Sequence, residues 1–408
     1  MSKSSHFFGQ PLYGQLLKLL DKSEILKISR ENGGERYVKR FDCRTHLVTM
    51  LYAVIMRHDS LREISLSLLA EARKLAHPGV TMMPSRSTLS DANARRPEAV
   101  FEKIYRQLYG RYRHELCSDS RGRLAPKWMR RLRIIDSTTI SLFSDLLFKG
   151  VGRNPKTGKK NGGIKVHTVI HANEGVPSDI RFTSAVTNDS FMLMPANFHD
   201  GDVLAIDRAY IDYAKLEMLT RQGVIHVTRM KKNLNVLWED IVWQATDGLM
   251  EYRIKHVTFH KVVKGGRLIS HSARIISYVD VRKHKIIELL TNDMDSDPEG
   301  IVDIYRQRWE IELLFKQIKQ NFPLRYFYGE SRNAIKTRIW MTLIANLMLM
   351  VLQSRQKRRW SFSGLATLVR ITMMYYVDLY SLLNHLEKDW QTSLEQPQES
   401  QPWPSLFD

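Results

Sequence analysis

The sequence predicts a mixed α/β protein with three parts: N-terminal helices, an α/β core that carries a strand-rich insertion, and C-terminal helices. Apolar residues at helical spacing dominate residues 8 to 115. From about residue 128, short aliphatic runs bounded by turn residues indicate strands instead. With 408 residues, the chain is long enough for two or three domains, each with its own core.

The N-terminal part, residues 1–120, is predicted to be helical. Its segments with helix-period apolar residues are 12–20, 45–57, 60–75 and 98–114. A polar and basic segment, 84–96, lies between the last two, and Ser85 or Ser87 can cap a helix that Pro97 limits on the far side. This segment resembles the recognition helix of a helix-turn-helix, and a solvated surface helix is the alternative. The side chains suited to phosphates and base edges are Arg86, Ser90, Asn93 and Arg96.

The core, residues 128–330, begins with an aliphatic run that ends at Asp136. Two further runs, 164–172 and 178–183, flank the turn Asn173-Glu174-Gly175 and predict a hairpin. The elements that follow are a helix over 190–198, a strand over 203–206 that ends at Asp207, a helix over 213–221 and a strand over 224–227. Three strands, a helix, a strand, a helix and a strand follow the ribonuclease-H-like order, so we predict that α/β fold.

A strand-rich block separates the last core strand from the final core helix, and we predict an inserted β-domain over about 229–295. Its predicted strands are 237–244, 251–262, 268–279 and 285–290. C-terminal helices are predicted over 331–390. Their most apolar segment, 339–352, is shorter than the roughly 20 residues that cross a bilayer, which favours a buried helix. The tail 391–408, rich in Gln, Glu, Ser and Pro, is predicted to be disordered.

The composition indicates an acidic polymer as partner. The net charge is +19 and the pI is near 9.8, and a basic protein of this kind neutralises phosphates and releases their counterions. Two cysteines, Cys43 and Cys117, are too few for a disulfide framework or a zinc ribbon. The polar N-terminus lacks a signal-peptide pattern, so we expect a cytoplasmic protein without a membrane partner.

Two aspartates follow predicted core strands directly. Asp136 ends the first strand and Asp207 the fourth, and because these strands are neighbours in the predicted fold, both carboxylates emerge side by side. An isolated Asp in such a position is more often a turn or cap residue. Asp212 is a competitor for Asp207, although it opens the next helix instead of ending the strand.

A polar stripe is predicted on the final core helix. At roughly 100° per residue, Tyr305, Arg308, Glu312 and Lys319 fall within a stripe about 60° wide. A carboxylate among two cations and a phenol suits phosphoryl-transfer chemistry. A solvated charged helix face is the ordinary alternative.

The spacing Tyr-x-x-Arg-x-x-x-Glu-x-x-x-x-x-x-Lys resembles the signature of the insertion-sequence-four family of bacterial, cut-and-paste DDE transposases. The contexts Ile135-Asp136-Ser137-Thr138 and Ile206-Asp207-Arg208-Ala209-Tyr210 match the family's order, although related proteins commonly have Gly at the position of Ala209. The resemblance covers about residues 125 to 350. It implies catalytic, metal-binding Asp136, Asp207 and Glu312, and phosphate contacts from Tyr305, Arg308 and Lys319.

The same resemblance implies a base-stacking tryptophan in the insertion. Trp238 and Trp243 are the candidates, although a core role is at least as expected for each. Because they lie five residues apart, strand alternation predicts opposite faces, so at most one would serve.

Three clustered carboxylates repel one another unless cations neutralise them, and hard oxygen ligands select Mg²⁺ or Mn²⁺. Two such ions, about 3.5–4 Å apart, would activate the attacking oxygen and stabilise the leaving one. The resemblance therefore implies a transposase that binds terminal inverted repeats, cuts DNA and joins it to target DNA, as a homodimer in the synaptic complex. The alternatives are a ribonuclease-H-like nuclease without strand transfer and a non-enzymatic DNA-binding derivative.

Overall fold

The structure is a computed structural model. It describes residues 9–117, 127–141, 152–153, 162–231, 238–247, 250–262, 266, 268–280, 285–324 and 327–386. The chain divides into two compact units, Met1–Val100 with Ile344–Asp408 and Phe101–Leu343. The predicted domain boundaries at 120 and 331 do not coincide with the boundaries of these units. The predicted disordered tail, 391–408, lies outside the described residues.

Thirteen helices are delimited in the described part of the chain. In chain order they are α1 (Leu12–Leu16), α2 (Lys22–Glu31), α3 (Cys43–Met56), α4 (Leu61–Ala70), α5 (Ala72–Leu75), α6 (Arg86–Arg95), α7 (Glu98–Leu116), α8 (Lys127–Arg131), α9 (Tyr213–Arg221), α10 (Pro298–Gln307), α11 (Trp309–Asn321), α12 (Arg332–Ser354) and α13 (Phe362–Thr372). Residues 379–386 are also helical. The unit boundaries fall inside α7 and α12.

The first unit is built around α3, which is apolar on all sides and almost entirely buried, as expected for a central helix. The Asp42 side chain caps its N-terminus by accepting from the Thr45 amide. The N-terminal segment is tied to both α3 and the chain's C-terminal part. The Tyr13 hydroxyl donates to the Val48 carbonyl, and the Tyr13 amide donates to the Met373 carbonyl at 2.8 Å. The first 100 residues and the C-terminal helices therefore share one core.

The second unit contains a sheet of ten strands. They are β1 (Leu132–Ser141), β2 (Gly152–Arg153), β3 (Gly162–His171), β4 (Pro177–Ser184), β5 (Val203–Ile206), β6 (Ile225–Arg229), β7 (Trp238–Asp247), β8 (Met250–Val262), β9 (Leu268–Asp280) and β10 (Lys285–Thr291). The path runs β2-β3-β1-β5-β6-β10-β9-β8-β7, and β4 pairs with β3. The β1–β5 and β5–β6 pairs are parallel, whereas β1–β3 and β3–β4 are antiparallel. Every predicted core strand is present in this mixed α/β unit.

The strand-rich insertion continues the core sheet. Its last strand, β10, pairs antiparallel with core strand β6, and β9, β8 and β7 follow outward. Its four strands agree with the four predicted ones. The insertion therefore extends the sheet instead of forming a separate one.

One helix prediction differs from the structure, and another, a buried helix over 339–352, agrees with it. The helix predicted over 190–198 is wrong, because two 3₁₀ turns, Asp189–Met192 and Pro195–Asn197, occupy that segment. Pro195 has no amide hydrogen to continue an α-helix. The apolar segment 339–352 belongs to the longer helix α12, which is long and apolar enough to cross a membrane by length and composition, but 89% of its apolar window is buried. This burial is typical of a core helix.

Candidate active site

Asp136 and Asp207 lie side by side where the parallel pairing of β1 and β5 ends. The prediction that Asp136 ends the first strand is wrong, because β1 continues to Ser141 in its antiparallel pairing with β3, whereas Asp207 directly follows β5. In the β1–β5 register, Ile135 pairs with Ile206, so the next residue on each strand is one of the two aspartates. The residues before them are fully buried, which fixes the strand ends against the core. Topology thus brings together two carboxylates that are separated by 71 positions in the sequence.

The competitor Asp212 has other partners. Its carboxylate accepts from the Ala214 amide at 3.1 Å and so caps α9. It also pairs with Lys261 at 3.1 Å. This capping role is the ordinary one for an aspartate just before a helix.

Glu312 reaches the same region from α11. The predicted continuous helix through Tyr305 and Lys319 is interrupted at Arg308, whose amide donates to the Tyr305 carbonyl at 3.1 Å in a tighter, 3₁₀-type turn. The helical spacing nevertheless survives, because Arg308 and Glu312 meet as an i,i+4 pair. Glu310, by contrast, is exposed.

Arg308 is the cation at the centre of this arrangement. Its Nη2 lies 2.7 Å from Oε1 of Glu312, and its Nη1 lies 3.9 Å from Oδ2 of Asp136. The guanidinium also stands over the Tyr305 ring, 5.6 Å from its centroid. Burial alone would lower the pKa of Arg308, but Tyr305, Glu312 and Asp136 together keep that pKa above its usual value. Within the predicted stripe, Arg308 therefore contacts both Tyr305 and Glu312.

Lys319 also contacts the strand that carries Asp136. Its Nζ donates to the Thr138 hydroxyl at 2.6 Å. Thr138 and Asp136 are two residues apart on β1 and so share one sheet face. Both cations of the predicted stripe thus lie close to side chains of β1.

The electrostatics of Asp136 are those of a crowded carboxylate. Burial raises its pKa to about 6. The Ser137 amide, which donates to Oδ1 at 2.7 Å, and the Arg308 cation oppose this rise, while Asp207 and Glu312 reinforce it. A carboxylate with so high a pKa gains strongly from a neighbouring cation.

A fourth carboxylate, Asp189, lies behind this cluster, and the sequence analysis missed it. Its Oδ1 accepts from the Ser137 hydroxyl at 2.6 Å and from Lys165 Nζ at 3.2 Å. Burial and the nearby Asp136 and Asp189 raise the pKa of Tyr210 well above its ordinary value, so this phenol stays protonated. Asp189 sits in a 3₁₀ turn, where no periodicity marks it in the sequence. The only sequence signal near this contact is Ser137, the Asp189 partner that directly follows Asp136 in the chain.

The donor set fits hard divalent cations by its chemistry. Asp136, Asp207 and Glu312 offer only oxygen ligands, and burial, with smaller contributions from Asp207 and Glu312, raises the pKa of Asp136. Within the described residues, no three acidic, His or Cys side chains are already grouped closely enough to hold one ion. Glu312 is instead paired through Oε1 with Arg308, so this cation competes with a metal for its carboxylate.

The DNA-recognition prediction for α6 requires correction. Ser85 caps the helix as predicted, and Arg86 and Ser90 are exposed, but Asn93 and Arg96 are 1% and 5% exposed. Asn93 Oδ1 lies 2.9 Å from His46 Nε2. Arg96 donates to the Gly34 and Phe41 carbonyls at 2.9 Å each. These two side chains cannot contact bases. The four DNA-recognition candidates therefore divide between the two sides of α6: Arg86 and Ser90 are exposed, and Asn93 and Arg96 are buried.

Trp238 and Trp243 lie on β7, whose pairing with β8 is irregular. The β7–β8 register shifts between Ile241 and Trp243, so the two tryptophan positions pair with Thr258 and Ile254. The prediction that the two side chains face opposite sides of the strand stays a prediction. The tryptophan side chains themselves lie outside the described part of the chain.

Two carboxylates at the end of a parallel strand pairing, faced by a helix motif with a third carboxylate and two cations, are typical of a phosphoryl-transfer site on an α/β scaffold. The comparison with known families agrees. Residues 127–348, more than half of the chain, match the family described as "Transposase DDE domain". The chain therefore belongs to the DDE transposase family. Residues 8–81 match a family described only as a domain of unknown function.

Individual relatives carry matching names. "Putative transposase y4zB" of Sinorhizobium fredii is 29% identical over 276 residues, which cover 66% of this chain and 72% of the relative. "Probable transposase for insertion sequence element IS5377" of Geobacillus stearothermophilus is 24% identical, covering 66% of this chain and 67% of the relative. "Putative transposase for insertion sequence element IS4SA" of Synechocystis sp. is 26% identical, covering 65% and 71%.

One solved structure, a piggyBac transposase synaptic complex with hairpin DNA, matches with a TM-score of 0.43 and 12% identity, covering 97% of this chain and 86% of that one. The family match and the relatives confirm the prediction of a transposase, a metal-dependent enzyme that cuts DNA. They favour it over a simple nuclease or a non-enzymatic derivative.

Proposed function

We propose that this chain is the transposase of a bacterial insertion sequence of the insertion-sequence-four type, acting in the cytoplasm on chromosomal DNA. It binds the terminal inverted repeats of its own element, cleaves them, and joins the resulting 3′-OH ends to target DNA. The observation that carries the proposal is the contact of Arg308 with both Glu312 and Asp136. This contact supports a shared site for the strand-end aspartates and the helix motif.

A ribonuclease-H-like core is part of the proposal. The strand order β4-β3-β1-β5-β6, with two antiparallel and two parallel pairings, supports it. The order of strands predicted from the sequence is the same, although 3₁₀ turns replace the first predicted helix. In such a sheet the carboxyl ends of the first and fourth strands are neighbours, as Asp136 and Asp207 are here.

Asp136, Asp207 and Glu312 are the proposed catalytic residues, and they would hold two Mg²⁺ or Mn²⁺ ions. Such ions, when bound, supply an activated oxygen nucleophile and charge stabilisation for the leaving oxygen. The protein's own contribution is to position the carboxylates. The buried strands β1 and β5 fix the two aspartates, and the Ser137 amide fixes the orientation of the Asp136 carboxylate.

Tyr305, Arg308 and Lys319 are proposed to hold phosphates of the transposon end. A guanidinium already paired with a carboxylate can exchange it for a phosphate, which offers the same planar, bidentate geometry. Arg308 would therefore release Glu312 as DNA arrives. Lys319, hydrogen-bonded to Thr138 on the strand of Asp136, stands close enough to the carboxylates to contact the same DNA.

Double-stranded DNA is the proposed partner, in the form of two inverted repeats and a target, held by a homodimer. The net charge of +19 supports the polyanion. Trp238 or Trp243 is proposed to stack on an extruded base during end processing. Arg86 and Ser90 remain exposed candidates for contacts with the repeat.

The test is a joining assay with the inverted repeats that flank the gene. Purified protein, duplexes that carry these repeats, a target plasmid and Mg²⁺ should yield plasmids with covalently joined ends. A nuclease would cut the duplexes without producing joined products, and a non-enzymatic derivative would only bind them. Joining of the native ends, and not of scrambled ones, distinguishes the proposal from both alternatives.

A further inference from the structure

A second basic site lies in the first unit, away from the carboxylates. A cavity of about 340 Å³ opens between the segment that follows α2 and the C-terminal end of α6. Its lining includes three arginines and no carboxylate; the residues are Gly33, Gly34, Arg36, Tyr37, Val38, Ala92, Arg95, Arg96 and Pro97. An open cavity with this charge is suited to an anion.

Arg96 holds the two walls of this cavity together. Its side chain is buried and donates from Nε to the Gly34 carbonyl and from Nη2 to the Phe41 carbonyl. These two bonds bracket residues 34–41 and fasten them to the end of α6. Arg96 therefore acts as a positioning residue, and the ligand would meet the more exposed arginines.

The exposed cations around the cavity are only weakly compensated. Arg36 is exposed, as are the following Lys39 and Arg40. Arg95 pairs with Asp91 at 2.8 Å, but both side chains are about half exposed or more, and such surface pairs contribute little stability. The neighbouring Glu35 is turned away, because its carboxylate accepts from the Ser29 hydroxyl and the Cys43 amide.

Tyr37 is held in an unusual conformation at the rim. Its φ is 59°, in the left-handed region that bulky residues rarely adopt, and its side chain is 75% exposed. The Arg36 guanidinium stands 5.1 Å from the ring centroid, and its Nη2 donates to the Tyr37 hydroxyl at 3.3 Å. A hydroxyl that accepts from arginine keeps its own hydrogen for donation to an anion. Backbone strain of this kind concentrates at functional sites.

We propose that this cavity binds the phosphodiester backbone of duplex DNA. Arg36 and Arg95 contact phosphates, Tyr37 donates its hydroxyl to one of them, and Asp91 gives up Arg95 when DNA binds. The inference rests on the proposed function, since it assumes that the full chain binds DNA. Such a site would strengthen DNA binding and position the duplex on the protein. It would not recognise bases, because phosphate contacts carry no sequence information directly.

The test measures binding of the full-length protein to a short duplex of scrambled sequence over a range of salt concentrations. The double variant Arg36→Ala/Arg95→Ala should lower the slope of log K against log salt by about 1.8, since each phosphate contact contributes about 0.9. The matched control, Lys22→Ala/Arg62→Ala, removes two exposed charges of the same unit outside the cavity and should leave the slope unchanged.

Two further variants should change DNA affinity in ways that a merely structural role of the cavity residues would not produce. Asp91→Asn removes the competing carboxylate and should tighten binding roughly tenfold. Tyr37→Gly relieves the positive φ, so it should leave the melting temperature unchanged or raised while weakening binding. If the cavity variant and the control variant gave equal salt slopes while the wild type bound DNA normally, the proposal that the cavity binds DNA would fail and the proposed function would stand. A wild type that binds no duplex would overturn the proposed function as well.

Discussion

Arg308 Nη2 lies 2.7 Å from Glu312 Oε1, so the carboxylate of the helix motif is neutralised by the cation one turn before it. Arg308 also reaches Asp136 at 3.9 Å, which makes it a positive bridge between two proposed metal ligands. The pair lies in a partly buried position, with Arg308 15% and Glu312 35% exposed. Without a bound metal, Arg308 supplies the positive charge that holds the carboxylates of Glu312 and Asp136 near each other.

Removal of this bridge should separate metal binding from DNA chemistry. Arg308→Ala should tighten Mn²⁺ binding roughly tenfold, about 1.4 kcal/mol, because a competing cation leaves the carboxylates. The same variant should lower strand transfer at least tenfold, because the phosphate contact is lost. Calorimetric titration with Mn²⁺ and the joining assay measure the two effects. Arg306→Ala, which removes an exposed arginine paired with Asp303, is the control and should change neither.

Asp189 should act on Asp136 through Ser137. Asp189→Ala removes the acceptor of the Ser137 hydroxyl and of Lys165, so the Asp136 carboxylate loses part of its support. We expect cleavage to fall roughly tenfold to hundredfold while end binding is unchanged. The conservative Asp189→Asn variant should recover part of the activity. Asp179→Ala, which removes a surface carboxylate paired with Arg106 and Arg181, should cleave normally.

Asn93 should be required for stability and not for base recognition. Asn93→Ala leaves the buried His46 without its amide partner, at a cost of about 1–3 kcal/mol in the free energy of unfolding. The preference of the Asn93→Ala variant for the inverted-repeat sequence over a scrambled sequence should equal that of the wild type. Urea unfolding and competition binding test the two statements. A loss of preference with unchanged stability would restore Asn93 to the DNA interface.

His46 should make the first unit sensitive to acid. Burial, with a smaller contribution from the Arg96 cation, lowers its pKa from 6.5 to about 3. Between these values the unfolded chain binds a proton that the folded chain does not, so stability falls as the pH drops below 6.5. At pH 5 this one group accounts for about 2 kcal/mol. The loss of stability between pH 7 and pH 5 should therefore be smaller by about that amount in His46→Gln.

Local sequence rules predicted the parts of the fold that local physics determines. The strands of the core and the insertion were found because short aliphatic runs and turn residues mark them. The Arg308–Glu312 contact follows from helical spacing alone. The pairing of Asp136 with Asp207 was predicted only once a fold was assumed, because the β1–β5 register is a long-range property.

The errors arose where tertiary contacts override sequence patterns. Asn93 and Arg96 look like a DNA-contacting face by their chemistry, but burial against His46 and Gly34 decides their role. The helix periodicity could not distinguish the two arcs, because α6 has few apolar residues to mark its buried side. Asp189 carries no pattern at all and becomes visible only when its turn is placed beside Ser137.

The central claim is that Asp136, Asp207 and Glu312 together perform the DNA chemistry. The most direct measurement is Mg²⁺-dependent cleavage of the native transposon end by Asp136→Asn, Asp207→Asn and Glu312→Gln, with end binding assayed in parallel. We expect no detectable cleavage by any of the three variants, near-normal end binding, and normal cleavage by the control Asp212→Asn. Cleavage at the wild-type rate by any one of the three would contradict the account, because that residue would then be outside the active site.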